Sequence, residues 1–186
     1  MIHYFLKTTQ FIPNEFHNSF FDIDFTKLYR SGYRLILSDL DNTLIPYDLD
    51  EPNEELNNKI KELQDIGFEV VLLSNNIPAR INKFLKGTTI KGYANARKPL
   101  LIGVKKAFNS SPIHDKTKTI IIGDQLMTDI WAANRFNVYS ILVNPIKKKT
   151  EKWYTKMNRK TEVKMLHKIQ KKYPNQFSTL GLDKRA

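Results

Sequence analysis

The chain has 186 residues, no cysteine and a net charge of +11 at neutral pH. This length fits one domain of ordinary size with short extensions. The absence of cysteine excludes disulfides, thiolate-bound zinc and cysteine nucleophiles. There is no apolar run of about 18 residues and no signal-peptide layout, so we expect a cytoplasmic protein without a membrane-spanning helix.

The excess positive charge lies at the C-terminal end. Residues 146–186 contain 13 Lys and Arg against 3 Asp and Glu, a net of +10, whereas residues 1–145 are almost neutral. Such a segment favours an anionic surface, either lipid headgroups or nucleic acid. We therefore predict a domain over residues 1–150 and a basic amphipathic helical extension over residues 151–186.

Five short apolar runs alternate with helix-like segments between residues 33 and 143. The predicted strands are Tyr33–Ser38, Phe68–Leu73, Gly92–Ala94, Thr119–Ile122 and Val138–Leu142. Each run consists mainly of consecutive apolar residues rather than of apolar residues alternating with polar ones. This pattern is typical of a parallel sheet that is covered on both faces.

A helix is predicted in each of the four intervals between these strands. Asn53 caps the first helix and Gly67 ends it, Pro78 begins the second, Pro99 begins the third, and the fourth covers about Met127–Asn134. Strict alternation of strand and helix predicts right-handed crossovers and a doubly wound α/β fold. Ligands of such folds bind beyond the carboxyl ends of the strands.

Polar and charged residues follow four of the predicted strands. In chain order they are Asp39, Asp41, Ser74, Asn75, Lys98, Asp124 and Asp129. Two carboxylates two residues apart at a strand end repel each other unless a cation or a reaction uses both. Each residue alone has an ordinary interpretation as a cap, a turn or a surface charge. Their occurrence at successive strand ends indicates one site.

These segments resemble the haloacid dehalogenase-like (HAD) phosphohydrolase superfamily over residues 33–143. Asp39-Leu-Asp-Asn-Thr43 matches its first motif, Ser74 the second, Lys98 the third, and Gly123-Asp124 with Asp129 the acidic fourth. Three segments are similar to motifs of the YqeG-type subclass IIIA phosphatases, namely Leu-Ser-Asn-Asn, Ala-Arg-Lys-Pro-Leu and Gly-Asp-Gln-Leu-Met-Thr-Asp. That branch resembles the mitochondrial phosphatidylglycerophosphate phosphatases.

The resemblance implies an HAD-like Rossmannoid fold and a phosphatase that forms an aspartyl-phosphate. Asp39 is the expected nucleophile, and Asp41 the general acid and base. An acid at Asp41 argues against the dehalogenase and ATPase variants of the superfamily. Thr43 either orients the nucleophile loop or only bonds the backbone of a turn.

The same resemblance implies Mg²⁺ as the cofactor. The expected ligands are Asp39, Asp41 through its backbone carbonyl, and Asp124, while Asp129 ligates through water or orients Lys98. The expected phosphate-binding groups are Ser74, the amide of Asn75, and Lys98.

Many relatives in this superfamily carry a cap domain, inserted either between the first and second motifs or between the second and third. Neither interval of this chain has room for one. Only 29 residues separate Leu44 from Ser74, and 23 separate Ser74 from Lys98. One helix and one strand consume each interval. We therefore expect an open site, which suits a large or surface-bound phosphate ester.

Two flanking segments favour a lipid substrate. Phe5, Phe11, Phe16, Phe20, Phe21 and Phe25 precede the first predicted strand, and Trp153, Tyr154, Met157, Val163, Leu166, Ile169 and Tyr173 recur among lysines near the C-terminus. The second set predicts a basic amphipathic helix that lies on an anionic membrane. Alternatively, the N-terminal aromatics cover the core and the lysines are only solvated.

The leading hypothesis is hydrolysis of phosphatidylglycerophosphate at the inner membrane face, with peripheral contact to anionic lipid. One alternative is a soluble substrate, such as a phosphoprotein, sugar phosphate or nucleotide. Another is an RNA- or ribosome-associated binding protein that uses the basic segment.

Because every motif lies at or before Asp129, we expect removal of residues 151–186 to spare hydrolysis of a soluble ester.

Overall fold

A computed structural model describes residues 7–185 of the chain. Within them one sheet is formed by β1 Glu15–His17, β2 Leu35–Ser38, β3 Glu69–Leu73, β4 Lys91–Tyr93, β5 Thr119–Gly123 and β6 Tyr139–Val143. The strand order is β1-β6-β5-β2-β3-β4, and all neighbours are parallel. This confirms the predicted doubly wound parallel sheet.

Helices cover both faces of the sheet. They are α1 Phe25–Arg30, α2 Glu54–Ile66, α3 Pro78–Leu85, α4 Leu101–Asn109, α5 Trp131–Phe136, α6 Trp153–Lys172 and α7 Pro174–Thr179. Helices α1, α2 and α3 pack on one face, against Ile36 and Leu72 among others. Helices α4 and α5 pack on the other, against Leu37 and Val71. Successive strand residues therefore face opposite layers, which explains the runs of consecutive apolar residues.

Helix α2 begins and ends as the sequence predicts. The side chain of Asn53 accepts a hydrogen bond from the amide of Leu56 at 2.9 Å. Gly67 ends the helix at a φ of +110°, in the left-handed region that glycine adopts without strain. Helix α3 begins at Pro78, also as predicted.

The prediction that Pro99 begins the third helix is wrong. Helix α4 begins at Leu101, and Leu100 before it has extended backbone angles. Pro99 follows a cis peptide bond, and Arg97 has a φ of +54°. The amide of Leu100 donates to the carbonyl of Arg97 at 2.8 Å. The chain therefore makes a tight turn at Lys98 before it becomes helical.

Strand β1 is absent from the predicted elements because it lacks their sequence signal. It has three residues, Glu15, Phe16 and His17, at the edge of the sheet, and none of them is fully buried. The predicted fourth helix is also more complex than expected. Leu126–Ile130 forms a π-helical turn, and α5 follows it directly.

The C-terminal segment, residues 151–185, packs against the body of the domain. Met165, Leu166 and Ile169 of α6 share a buried cluster with Phe11 and Leu142. The predicted apolar face of α6 is divided, since Leu166 and Ile169 are buried whereas Trp153, Met157 and Val163 are exposed. No helix of the described residues is long and apolar enough to cross a membrane.

The N-terminal aromatics are largely core residues. Phe11, Phe20 and Phe25 are fully buried, and Phe16 and Phe21 pack against buried clusters. The alternative interpretation, in which these rings cover the core, accounts for them. Phe5 lies outside the described residues.

Candidate active site

The site lies where the direction of the strand order reverses. Strand β2 pairs with β3 on one side and with β5 on the other. Asp39 follows β2, and Asp124 follows β5. These two positions therefore meet at the carboxyl edge of the sheet, at the topological switch point where doubly wound folds bind ligands.

Three carboxylates meet at this edge. Asp39, Asp124 and Asp129 are buried, and one oxygen of each lies within 4.8 Å of the others. Gly123 permits this approach, because a Cβ at that position would lie 2.4 Å from the Cβ of Asp129. The π-helical turn presents Asp129, whose Oδ2 accepts hydrogen bonds from the amide of Gln125 at 3.0 Å and the hydroxyl of Thr128 at 3.2 Å.

Lys98 neutralises part of this acidic cluster. Its ammonium is 2.8 Å from Asp39 Oδ1 and 2.7 Å from Asp129 Oδ1, and it also donates to the carbonyl of Leu73. Asn75 fixes the loop that carries it, because its side chain bonds the amide of Lys98 at 2.7 Å and the carbonyl at 2.9 Å. The predicted phosphate-binding Asn75 thus contacts Lys98 through its side chain.

Burial and crowding set the charges of these groups. Burial raises the pKa of Asp39 well above its usual range against the opposing effect of Lys98, and Asp129 and Asp124 raise it further. Burial also raises the pKa of Asp124 to about 6, although Arg159 opposes it. Burial alone would lower the pKa of Lys98, but Asp129 and Asp39 outweigh burial and raise it, so the ammonium stays charged.

Asp41 is held apart from the three-carboxylate cluster. Its Oδ1 accepts hydrogen bonds from Arg80 Nε at 3.1 Å and Nη2 at 3.0 Å, and its Oδ2 accepts one from Asn76 at 3.0 Å. Arg80 also contacts Asp50 at 2.6 Å. The side chain of Asp41 therefore has a fixed orientation and lines the same cleft as Asp39.

Ser74 lies in the cleft, whereas Thr43 lies in the turn after β2. The buried hydroxyl of Ser74 lines the cleft and accepts a hydrogen bond from the amide of Asn76 at 3.1 Å. Thr43 is buried in the turn after β2, and its amide donates to the carbonyl of Leu40 at 3.3 Å. The hydroxyl of Thr43 has no hydrogen-bond partner within residues 7–185.

The C-terminal segment supplies one wall of the cleft, which the sequence interpretation did not anticipate. The residues that line the cleft are Asp39, Asp41, Tyr47, Ser74, Asn75, Asn76, Lys98, Gln125, Thr128, Tyr154, Thr155 and Asn158. Three of them belong to the first turns of α6. Arg159, one residue further, forms an ion pair with Asp124. The site and the basic segment are thus contiguous, contrary to the expected separation.

Some of the missed residues carry a weak sequence signal. Residues 146–186 contain only three acidic residues, Glu151, Glu162 and Asp183, and the first two are buried. An acidic residue in so basic a segment indicates a specific cationic partner, here Arg159. Arg80 lies on the helix that follows the second motif, but no local pattern distinguishes it from a surface residue.

The carboxylates fit a divalent cation by their chemistry. Asp124 Oδ1 is buried, and it has no hydrogen-bond partner in the part of the chain that the structure describes. A buried carboxylate oxygen without a partner is costly unless a ligand satisfies it. The connected charged groups also leave an excess of negative charge, since Asp39, Asp124, Asp129, Glu151 and Glu162 outnumber Lys98, Arg159 and Arg185. Oxygen donors of this kind suit Mg²⁺.

Comparison with known proteins identifies the chain as a phosphatase, that is, a phosphoric monoester hydrolase. The sequence profile described as mitochondrial PGP phosphatase matches residues 1–147. A Bacillus subtilis (strain 168) protein named "Probable phosphatase YqeG" is 33% identical over 165 residues, which cover 87% of this chain and 93% of that protein. The chain belongs to this YqeG-type family of phosphatases.

Two solved structures are similar in fold. An uncharacterized protein from Listeria monocytogenes serotype 4b has a TM-score of 0.50 and 19% identity, with coverage of 64% of this chain and 85% of its own. YfnB of Bacillus subtilis, a candidate HAD-hydrolase solved with bound magnesium, has a TM-score of 0.45 and 17% identity. That match covers 62% of this chain and 89% of YfnB.

Proposed function

We propose that the protein is a Mg²⁺-dependent phosphatase of a lipid-linked phosphate monoester, with phosphatidylglycerophosphate as the substrate and phosphatidylglycerol as the product. The observation that carries the chemistry is the cluster of Asp39, Asp124 and Asp129 with Lys98 beside it. The family match to PGP phosphatases supports the choice of substrate.

In this proposal Asp39 attacks phosphorus, and the bond from phosphorus to the leaving oxygen breaks as the aspartyl-phosphate forms. Asp41 gives its proton to the leaving alkoxide, then takes a proton from the water that attacks the aspartyl-phosphate and releases inorganic phosphate. Both side chains line the cleft. Arg80 and Asn76 keep Asp41 oriented towards its task.

The remaining residues are proposed to bind the cation and the phosphoryl group. Asp39, Asp124, Asp129 and the backbone carbonyl of Asp41 are the proposed cation ligands. Bound Mg²⁺ would offset the negative charge of the carboxylates and of the phosphoryl group. Ser74, Asn75 and Lys98 are the proposed phosphate-binding residues, with Lys98 the charged member. Thr43 is proposed to keep the turn after β2 in place.

The outer surface of α6 supports contact with an anionic membrane. Trp153 is 72% exposed and Met157 is 58% exposed. They lie four residues apart and so on one face of the helix. Lys156 and Lys160 are exposed next to them, and Tyr154 beside Trp153 lines the cleft. Aromatic and basic side chains in this arrangement bind lipid interfaces, which would bring the cleft to the headgroups.

A substrate panel tests the proposal. Phosphatidylglycerophosphate in mixed micelles, a phosphoprotein, a sugar phosphate and a nucleotide are each assayed with Mg²⁺ or with EDTA. We expect the highest kcat/KM with the lipid and no turnover in EDTA. A soluble ester that is turned over more efficiently than the lipid would make the soluble alternative the correct one.

Vesicle sedimentation tests the membrane contact separately. The wild type should bind vesicles with anionic lipid at low salt and bind weakly at high salt or to neutral lipid, since the attraction is screened. Trp153→Ser with Met157→Ser should reduce binding several-fold, whereas Val163→Ser, an exposed apolar residue further along α6, should not. A gel shift with structured RNA, without vesicle binding, would favour the RNA alternative.

A further inference from the structure

Two arginines of the C-terminal segment converge on Asp124. Arg159 of α6 donates from Nη2 to Asp124 Oδ2 and from Nη1 to the carbonyl of Asp124 at 2.5 Å. Arg185, in the turn Leu182–Arg185, donates to the same carbonyl. The contacts span 35 and 61 residues along the chain. Neither arginine lies in any of the four motifs.

Both guanidinium groups are themselves held in place. Arg159 contacts Glu151 Oε1 through Nη2 at 2.8 Å and through Nε at 3.1 Å. Arg185 Nε donates to Glu162 Oε1 at 2.8 Å, and Glu162 Oε2 accepts from the amide of Leu126 at 2.9 Å. Glu151, Glu162 and Arg185 are buried. A planar guanidinium fixed in this way can orient a carboxylate because its donors have a rigid geometry.

These contacts leave the two oxygens of Asp124 in different situations. Oδ2 is engaged by Arg159, whereas Oδ1 has no hydrogen-bond partner in the described chain. One carboxylate oxygen from each of Asp39, Asp124 and Asp129 lies within 4.8 Å of the other two. A carboxylate held through one oxygen and through its own carbonyl cannot rotate freely. The other oxygen is therefore available for a cation at a fixed position.

We propose that Arg159 is a positioning residue for the cation site, and that cation binding and docking of the C-terminal segment strengthen each other. The inference rests on the Mg²⁺ dependence proposed above. It assigns to the C-terminal segment a part in building the cation site. By linkage, a segment that increases the affinity for the cation is stabilised by the cation to the same extent.

A guanidinium beside a cation site also repels the cation, which is the opposing effect. Here Arg159 faces Glu151 and Glu162 as well as Asp124, so its charge is largely compensated. Removal of the guanidinium frees Asp124 to rotate, and it also leaves Glu151 and Glu162 less compensated, so the two effects on cation binding have opposite signs. Positioning predicts weaker Mg²⁺ binding in its absence, and repulsion predicts tighter binding.

Isothermal titration calorimetry with MgCl₂ on the full chain distinguishes weaker from tighter Mg²⁺ binding. We expect Arg159→Gln to weaken Mg²⁺ binding at least ten-fold and Arg159→Lys to recover part of that loss. Lys171→Gln, the same charge change at an exposed position near the end of α6, should bind Mg²⁺ as the wild type does. Unchanged or tighter binding by Arg159→Gln would overturn the proposal.

Hydrogen–deuterium exchange on the wild type covers the case in which Arg159→Gln does not fold. Mg²⁺ should slow amide exchange in residues 151–162 several-fold more than in α2, which supplies no residue to the cleft. Equal effects on both segments would overturn the proposal even if Mg²⁺ binds. A wild type that binds no Mg²⁺ would remove this inference together with the proposed metal dependence, whereas activity with Mg²⁺ but no response to Arg159 variants would remove the inference alone.

Discussion

The cleft has two walls that are built in different ways. The strand-end wall consists of Asp39, Asp41, Ser74 and Lys98, which follow β2, β3 and β4 and are all buried. The C-terminal wall consists of Tyr154, Thr155 and Asn158 on the first turns of α6. The first wall contains charged groups that can react, and the second contains neutral side chains that shape the opening. The charged side chains of the first wall and the neutral side chains of the second thus come from different segments of the chain.

The difference also concerns what holds each wall. Ladder hydrogen bonds between parallel strands fix the strand-end residues. The C-terminal wall depends on the apolar cluster around Ile169 and on the ion pairs of Arg159 and Arg185. Variants in the two walls should therefore separate loss of chemistry from loss of stability.

Asp39→Asn is expected to abolish turnover while the protein stays folded. The change removes the nucleophile and lessens the repulsion among the buried carboxylates. We expect kcat to fall by roughly 10³-fold or more, as for other nucleophile knockouts. The measurement is phosphate release by purified protein with a normal circular dichroism spectrum. Retention of a tenth of the activity would exclude Asp39 as the nucleophile.

Asp124→Asn is expected to raise the Mg²⁺ concentration needed for half-maximal activity by about 10–100-fold. Asp124 contributes a buried oxygen without a protein partner to the cluster. Activity of the wild type should vanish in EDTA and return with Mg²⁺. Asp115→Asn, a partly exposed acidic residue in the loop before β5, is the matched control and should keep the wild-type Mg²⁺ requirement. Identical metal titrations for both variants would move the cation site elsewhere.

Ile169→Ala is expected to destabilise the whole domain by about 2–5 kcal/mol, as other large-to-small core substitutions do. Ile169 is fully buried in the cluster that joins α6 to Phe11 and Leu142. Val163→Ala, on the exposed side of the same helix, should change stability by less than about 0.5 kcal/mol. Denaturant unfolding measures both. If Ile169→Ala unfolded α6 in a separate transition, the C-terminal segment would be an independent unit.

Mg²⁺ affinity is expected to decrease as the pH falls from 7 towards 5. The ordinary pKa of an Asp is about 3.9, and burial raises that of Asp124 to about 6 in the folded protein. Protons therefore compete with the cation below pH 6 and not above pH 7. Titration calorimetry at pH 7.5, 6.5 and 5.5 should show the largest loss of Mg²⁺ affinity between pH 6.5 and pH 5.5. A constant affinity over this range would contradict the raised pKa.

The strand-end wall was predictable because its signal is local. Asp39 and Ser74 each come directly after a predominantly apolar strand, and the parallel sheet brings such positions to one edge. The sequence gives no comparable rule for Arg159, whose partner Asp124 lies 35 residues away and outside any repeating pattern. Strand β1 escaped prediction for a related reason, since three partly exposed edge residues form no apolar run.

The misplaced start of α4 has a different cause. A proline often begins a helix, but Pro99 belongs to a turn that directs Lys98 into the site. Local rules place proline by backbone preference alone, whereas here the neighbouring Lys98 is held by contacts with Asn75 and Asp39, which lie far from it in sequence. Functional loops are where such local preferences are overridden.

The covalent intermediate on Asp39 is the central claim, and mass spectrometry tests it most directly. Asp41→Asn should still react with p-nitrophenyl phosphate, because p-nitrophenolate leaves without protonation, but should hydrolyse the intermediate slowly because the general base is lost. After acid quenching, we expect a hydroxylamine-labile phosphoryl group on the peptide that contains Asp39. Turnover of the ester by this variant with no phosphoryl group on Asp39, or with one on another residue, would contradict the account.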